Sequence, residues 1–380
     1  MRILVILPEQ LPVPPILGGS VESCTHNIFR RMAETEQVTL ISRAHHRLPT
    51  RSVYKNGKYH ILRIPQKNRL AYIRAVLRQV RKQSFDIIQI ENRPTFVPFV
   101  RKAFPRTPIV LSLHSLTFMT FLTKARANAI LRQVNAVTSV VSFVSQTMKK
   151  RYPAHARKFH TCILGVDTKK FRPHSLAYKM KLRKRWKLTS GFNVLFVGRI
   201  IQGKGLHTLI QAVFRVKKTY PRVRLIAVGA SWPSVQRQTR YIKKVRSMSR
   251  RLRVPIRFTG YIPPARVHRM YHLGDVFVCP TQFREGFATV NSEAMASGIP
   301  VIASNRGGIS EVIKHGISGW LVQDYKNPAA FADAIMKLKA SPKLVQKLVE
   351  GGRRRVEERF SWYNTSDKLK KLYIELLNRS

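Results

Sequence analysis

The segment EGFATVNSEAMASG, residues 285–298, sets two carboxylates, Glu285 and Glu293, around a glycine and the start of a helix-forming run, in a chain of 380 residues with 18 Asp+Glu against 70 Lys+Arg. Gly286 lets backbone approach a ligand, and the free N–H groups that open the following helix favour an anion. Glu293, one to two turns into that helix, faces the same ligand as Glu285. A carboxylate there is a bidentate acceptor for a vicinal diol such as ribose. A second constellation lies in GRIIQGKGLHTLIQAV, residues 198–213, where Arg199 and Lys204 follow an apolar run and Gly203 and Gly205 permit tight turns. Two cations beside exposed helix N–H groups make a phosphate site. In so basic a chain either pair also fits ordinary surface charge; position at a strand end is what marks them out.

Those residues need a scaffold, and the chain supplies an alternating one. Short apolar runs, RILVIL (2–7), VTLIS (38–42), DIIQI (86–90), PIVLSLH (108–114) and VTSVVSFV (137–144), are separated by amphipathic stretches. Runs apolar on both faces predict parallel strands covered by helices. One predicted helix spans 68–82, with Leu70, Ile73, Leu77 and Val80 on one face. Around 165–191 the pattern lapses into a basic, proline-containing linker. It then restarts with FNVLFVG (192–198), RLIAVGA (224–230), IRFTGYI (256–262), DVFVCP (275–280) and PVIAS (300–304), and past Pro328 only helical patterns remain. The reading is α/β, two consecutive doubly wound, Rossmann-like domains. In such sheets ligands sit beyond the carboxyl ends of strands, which is where both constellations fall. Two further strand-end features belong to the first domain: Gly18 and Gly19, a flexible loop able to approach a phosphate, and His114, which closes VLSLH.

The formal net charge of +52 and pI near 11.4 imply a polyanionic neighbour. The excess runs through both halves, with concentrations at KMKLRKRWK (179–187), RQTRYIKKVRSMSRRLR (237–253) and RRR (353–355). No RNP-like, helix-turn-helix or zinc pattern accompanies it, so nucleic acid is not the expected partner. Three scattered cysteines, Cys24, Cys162 and Cys279, suggest neither a disulfide framework nor a zinc site and fit a reducing cytosol. The opening MRILVILPEQ reads as a buried strand, too short for a signal peptide, and no run is long enough to span a membrane. Membrane contact would be peripheral. No DxD occurs, so neither a metal nor another cofactor is expected.

The flanks sharpen the reading. EGFATVNSEAMASGIPVIAS (285–304) resembles the E-x7-E signature of retaining GT-B glycosyltransferases of family 4. The similarity continues through FVGRIIQGKG (196–205), FTGYI (258–262), GVDTKKF (165–171), NRGGISEVIKHGISGWLV (305–322) and GGSVE (18–22), in the family's order and over nearly the whole chain. PEQLPVPPILGGSVE (8–22) and NRP (92–94) look most like bacterial spore-coat-associated members.

The resemblance implies a GT-B fold: an acceptor-side domain over 1–170, a basic linker over 171–190, a nucleotide-sugar-binding domain over 191–360, and a helix over 361–380 returning to the first domain, the two domains facing across a cleft. It implies a metal-independent, retaining hexosyltransferase using a UDP- or GDP-linked sugar. Arg199 and Lys204 would hold the diphosphate, Glu293 the ribose hydroxyls, and Glu285 the sugar near its anomeric carbon. Backbone groups of Gly286, Phe287 and Ala288 would line sugar and phosphate, the Gly18–Gly19 loop would approach the donor, and His114 would lie near the donor sugar. The acceptor would be a hydroxyl of a cell-envelope, lipid-linked or spore-surface molecule, and the charge would serve an anionic membrane surface or polyanionic polymer. The expected location is the cytoplasm, at the inner membrane face or on a forming spore coat. A catalytically idle structural member and a sugar-nucleotide epimerase are the alternatives; the E-x7-E context speaks against the second.

Overall fold

The computed structural model describes residues 1–66, 68–188, 191–232 and 238–379. It divides into two compact units, Met1–Gly165 with Trp362–Ser380, and Val166–Ser361.

The first unit holds an eight-stranded sheet built from β1 (Arg2–Ile6), β2 (Gln37–Arg43), β3 (Arg51–Tyr54), β4 (Tyr59–Ile64), β5 (Ile87–Glu91), β6 (Ile109–Leu113), β7 (Ala136–Ser139) and β8 (Phe159–Thr161). Its order is β3-β4-β2-β1-β5-β6-β7-β8, parallel throughout except for the β3–β4 hairpin. Ile3, Leu4, Val5 and Ile6 are fully buried, as an inner strand covered on both faces requires. The order reverses between β1 and β5, a switch point that brings the loop after β1, with Gly18 and Gly19, beside the end of β5. Helix Ser20–Met32 packs on the last helix, Trp362–Leu377, which buries Leu369, Leu372, Tyr373 and Leu376 in this unit.

The second unit holds β9 (Phe192–Val197), β10 (Val223–Val228), β11 (Ile256–Gly260), β12 (Val276–Cys279), β13 (Val301–Ser304) and β14 (Trp320–Val322). All pairs are parallel in the order β11-β10-β9-β12-β13-β14. Its core joins Val194 and Phe196 of β9 to Leu206, Leu209, Ile210 and Val213 of helix Leu206–Thr219 and Phe331 and Ile335 of helix Pro328–Ala340. The switch point falls between β9 and β12, so the loops after those two strands converge.

Several expected elements differ. The run 137–144 is a strand only to Ser139; helix Ser142–Arg151 begins within it. Helix 68–82 becomes Arg69–Val80, capped by the Asn68 side chain, and buries Tyr72, Ile73, Ala75, Val76 and Val80 while Leu70 is exposed. The apolar stripe is centred one position from the expected one. The short β3, β4, β8 and β14 add to the expected strands. Within the stretch read as a linker, helix Leu176–Arg185 buries no residue; residues 189 and 190 of that stretch, and Arg237 of the 237–253 basic run, lie outside the described residues. Among the described residues no helix is long and apolar enough to cross a membrane.

Candidate active site

At the switch point of the second sheet, β9 ends at Val197 and the chain passes through Gly198 and Arg199 to a short 3₁₀ turn, Gln202–Lys204, before helix Leu206–Thr219. Gly205 caps that helix with φ +74°, where a Cβ would stand 1.8 Å from the Pro280 carbonyl oxygen. Gly203 is required for a different reason: its Cβ would meet the Phe283 ring at 2.2 Å. Both glycines therefore clamp this turn against the loop after β12. The Gly203 carbonyl accepts from the Gln282 backbone N–H at 2.8 Å and the Thr281 hydroxyl at 3.1 Å.

The clamp delivers Lys204 to Glu285. Lys204 Nζ donates to Glu285 Oε1 at 2.5 Å, and the Thr281 hydroxyl, its single proton shared with the Gly203 carbonyl, lies 3.0 Å from the same oxygen. The pair is largely dry, with side chains 18% and 10% exposed. The lysine ammonium also sits over the Phe283 ring, 5.1 Å from its centroid. Glu285 is fixed at the backbone too, since Gly308 N–H donates to its carbonyl at 3.0 Å and Gly307, at φ +68°, leaves no room for a Cβ beside it. An ammonium has three donors. Lys204 can hold Glu285 and a phosphate oxygen at once. Arg199 is placed differently, exposed, with its guanidinium 5.5 Å from the Trp232 ring centroid.

Helix Thr289–Ala296 follows. The left-handed residue at its entrance is Ala288, φ +52°, and not Gly286, so the local backbone strain falls on the alanine. The Phe287 ring is buried edge-on to Phe360 at 5.3 Å, which leaves only its backbone for a ligand. Glu293 accepts from Tyr271 Oη at 2.7 Å. Burial pushes its carboxyl above the ordinary range, opposed by the Tyr271 hydrogen bond and the Lys170 charge. The side chains of Glu285 and Glu293 thus rest on different partners, one on a cation and one on a phenol.

In the first unit, Gly18 and Gly19 both have positive φ, +93° and +99°. A Cβ on Gly19 would fall 2.2 Å from Glu22 Oε2, so the glycine is needed for the carboxyl that the following helix tucks beneath it. Glu22 is buried, and desolvation lifts its pKa to about 7. Nearby, Arg93 forms a buried two-pronged pair with Glu9 at 2.8 and 3.1 Å. His114, just past β6, directs Nε2 to Glu91 Oε2 at 2.9 Å, and its backbone N–H donates to Asn92 Oδ1 at 3.3 Å.

Thr281, Tyr271, Phe283, Trp232, Glu22 and Glu91 escape a reading of the sequence alone. Only Glu22 and Glu91 carry a signal there, as scarce acids in a basic chain, one in the first turn of a helix and one at a strand end; the others are positioned by packing that no local pattern encodes. Among the described residues, no group of three or more His, Cys, Asp or Glu side chains could hold a metal ion.

Comparison with known proteins follows the same division. Residues 18–170 match the model "Glycosyltransferase Family 4" and residues 178–355 the model "Glycosyl transferases group 1". YtcC of Bacillus subtilis is 32% identical over 99% of this chain and 93% of its own. Spore coat protein SA of the same organism is 30% identical over 98% and 99%. The chain belongs to the family 4 GT-B glycosyltransferases. The fold agrees: the crystal structure of Anabaena HepE in complex with UDP superposes with a TM-score of 0.80 at 18% identity, covering 99% of this chain and 100% of that one. In this family 4 GT-B member the GRIIQGKG and E-x7-E motifs lie at the switch point of the second sheet and the GGSVE motif at that of the first.

Proposed function

We propose that this glycosyltransferase moves a hexosyl unit from a UDP- or GDP-linked sugar to a hydroxyl of a cell-envelope, lipid-linked or spore-surface acceptor, with retention at the anomeric carbon and without a metal. The observation that carries this reading is the Lys204–Glu285–Thr281 group at the β9/β12 switch point. One ammonium spans two functions, holding Glu285 for the sugar and offering its remaining donors to the phosphates. Arg199, exposed beside the Trp232 ring, adds a second cation, and the N-terminus of helix Leu206–Thr219 adds backbone N–H groups. Negative charge growing on the leaving phosphate is stabilised by this positive end, the electrostatic term that dominates many such reactions. Glu293 and Tyr271 together form an acceptor–donor pair suited to ribose hydroxyls. Glu285, already bound to a cation and a hydroxyl, orients and stabilises the sugar; the departing phosphate oxygen takes the acceptor's proton. Gly18 and Gly19 serve the donor phosphates by backbone approach. The HepE crystal structures in complex with UDP and with UDP-glucose support a nucleotide-sugar donor.

The charge is assigned to the acceptor side of the biology, an anionic membrane face or polyanionic polymer. In the second unit a groove of 520 Å³, with Leu182 and Trp186 in its wall, is rimmed by Arg185, Arg257, Arg266 and Arg269. None of the four guanidinium groups makes an ion pair among the described residues, which suits phosphate or carboxylate groups along a chain. A second reading, a catalytically idle structural protein of a spore coat, draws its support from the 30% identity to spore coat protein SA. Release of UDP or GDP from UDP-glucose, UDP-N-acetylglucosamine and GDP-mannose, with and without EDTA, separates the two. Turnover of one donor, undiminished by EDTA and lost in Lys204→Ala, supports the enzyme; no turnover by folded protein with any donor or acceptor extract supports the idle member.

A further inference from the structure

The basic run RRR (353–355) does not face solvent as a block. Arg354 is exposed, but Arg355 turns inward to donate to the carbonyls of Glu311 and Val312, and Arg353, 24% exposed, clasps backbone on both sides of the Glu293–Tyr271 pair. Its Nη1 donates to the Ala296 carbonyl at 2.6 Å and to the Phe171 carbonyl at 3.0 Å, and the Thr168 carbonyl lies 3.4 Å from Nη1 and Nη2. Nε and Nη2 both reach Glu357 Oε1 at 2.6 Å. The guanidinium is thus spent on backbone and on Glu357.

One end of this clasp is the helix that carries Glu293. Helix Thr289–Ala296 leaves its last four carbonyls without partners inside it. The turn that follows meets three of them: Ser297 gives its N–H and hydroxyl to Glu293 at 3.0 and 2.8 Å, Ile299 N–H reaches Ala294 at 3.3 Å, and Gly298 N–H reaches Met295 at 3.1 Å. The fourth, Ala296, is met by Arg353 from 57 residues further along the chain. The other end is the stretch 168–171, which grips the element carrying Tyr271. Phe171 sets its ring edge-on to Tyr271, with centroids 5.8 Å apart. Lys170 Nζ donates at 3.0 Å to the carbonyl of Pro264, first residue of the helix Pro264–Met270 that runs into Tyr271. Contacts therefore close a ring, from Arg353 through Ala296 and its helix to Glu293, across the 2.7 Å hydrogen bond to Tyr271, and back through Phe171 to the guanidinium. A planar guanidinium ties two backbone segments at once, where a lysine ammonium has no such spread.

We infer that Arg353 is a positioning residue for the nucleotide: it holds the Glu293 carboxyl against the Tyr271 phenol so that the pair meets both hydroxyls of a ribose, and so sets the preference of the site for ribose over deoxyribose. The inference rests on the reading of Glu293 and Tyr271 as the ribose contact. Without Arg353 the segments keep their packing, Pro173 against Gly298 and Met295 against Gly352, but lose the tie that fixes carboxyl to phenol. Hydrogen bonds from a diol to a carboxylate are steep in distance and angle, so the loss falls on the ribose and not on base or phosphates.

Calorimetric titration of UDP and GDP, each beside its 2′,3′-dideoxy form, reads the ribose contribution as a ratio of affinities. The wild type is expected to prefer the ribose form of the nucleotide it binds by about tenfold or more, the effect of charge-assisted hydrogen bonds in a buried site, and Glu293→Ala to bring the ratio to about one. Arg353→Met is expected to cut the ratio to about threefold or less while leaving the dideoxy affinity within about twofold of wild type. Arg353→Lys falls between, and Arg354→Met, which removes an exposed neighbour of the same charge, keeps the wild-type ratio. A merely structural arginine weakens both forms together and leaves the ratio where it was. A wild-type ratio in Arg353→Met, with Glu293→Ala at about one, overturns the inference alone. A wild type that binds neither nucleotide or shows no preference, or a Glu293→Ala that keeps the preference, overturns the ribose reading and the inference with it. If Arg353→Met fails to fold, Arg353→Lys decides, and an undiminished ratio there refutes the proposal.

Discussion

The Lys204–Glu285 pair gives the sharpest quantitative expectation. At 2.5 Å, with an effective dielectric constant of about 20, the attraction is roughly 7 kcal/mol, and withdrawing each ion from water takes back several kcal/mol. The net coupling is therefore only about 1–3 kcal/mol. The cost of breaking the pair from one side is larger. Lys204→Met leaves Glu285 with the Thr281 hydroxyl alone, and Glu285→Gln leaves a nearly buried ammonium, each costing about 3–5 kcal/mol. The double variant leaves no stranded charge and is expected to recover at least about 1 kcal/mol relative to the sum. Urea unfolding followed by tryptophan fluorescence suits the assay, because Trp186, Trp232 and Trp320 lie in the second unit and only Trp362 in the first. Strict additivity, within about 0.5 kcal/mol, would refute the reasoning, since independent sites add to that precision and an ion pair does not.

Further expectations follow from the same geometry. Gly205→Ala, forced to φ +74° with its methyl against the Pro280 carbonyl, should lose at least about 1–3 kcal/mol in urea titration, more than Gly57→Ala, whose Cβ meets open space. Glu22, lifted from 4.5 to about 7 by burial, binds more protons folded than unfolded between those values. The first unit's stability from this group is therefore present at low pH and lost as pH rises from about 4.5 through 7, by about 3 kcal/mol in all. Thermal unfolding of Glu22→Gln across pH 5–8 should lack that loss and exceed the wild type at pH 8; parallel profiles would contradict the assignment. Replacing Arg185, Arg257, Arg266 and Arg269 together by Gln should weaken binding to a poly(glycerol phosphate) oligomer and flatten its salt dependence, measured by fluorescence anisotropy, while leaving UDP binding unchanged.

Much of this fold, and the strand-end position of several candidate site residues, is legible in the amino-acid sequence, for physical reasons that differ by residue. Strands such as RILVIL and FNVLFVG declare themselves because burial on both faces demands unbroken apolar runs, and Glu285, Lys204 and Arg199 fall at strand ends where such sheets place ligands. The short β3 and β8 lack enough apolar length to stand out, and VTSVVSFV hides a strand-to-helix change because Val and Ser suit both states. Tyr271 beneath Glu293, Thr281 beside Glu285 and the Tyr373 hydroxyl on Gln89 join positions as far as 284 residues apart. Contacts of that span are set by how sheets and helices pack, and no local pattern announces them. Gly203 is obscured for the same reason: its sequence context suggests a turn, whereas what excludes a side chain there is the Phe283 ring.

The central claim is a nucleotide-sugar site built on Lys204, Glu285 and Glu293, and calorimetric titration of UDP, GDP, ADP and their common sugar conjugates into the wild type and Glu293→Ala tests it most directly. The account predicts that one nucleotide series binds the wild type, and that Glu293→Ala, with its ribose acceptor gone, binds the same series at least about tenfold more weakly, a loss of about 1.4 kcal/mol. Absence of binding by demonstrably folded wild-type protein, or equal affinity in the variant, would contradict it.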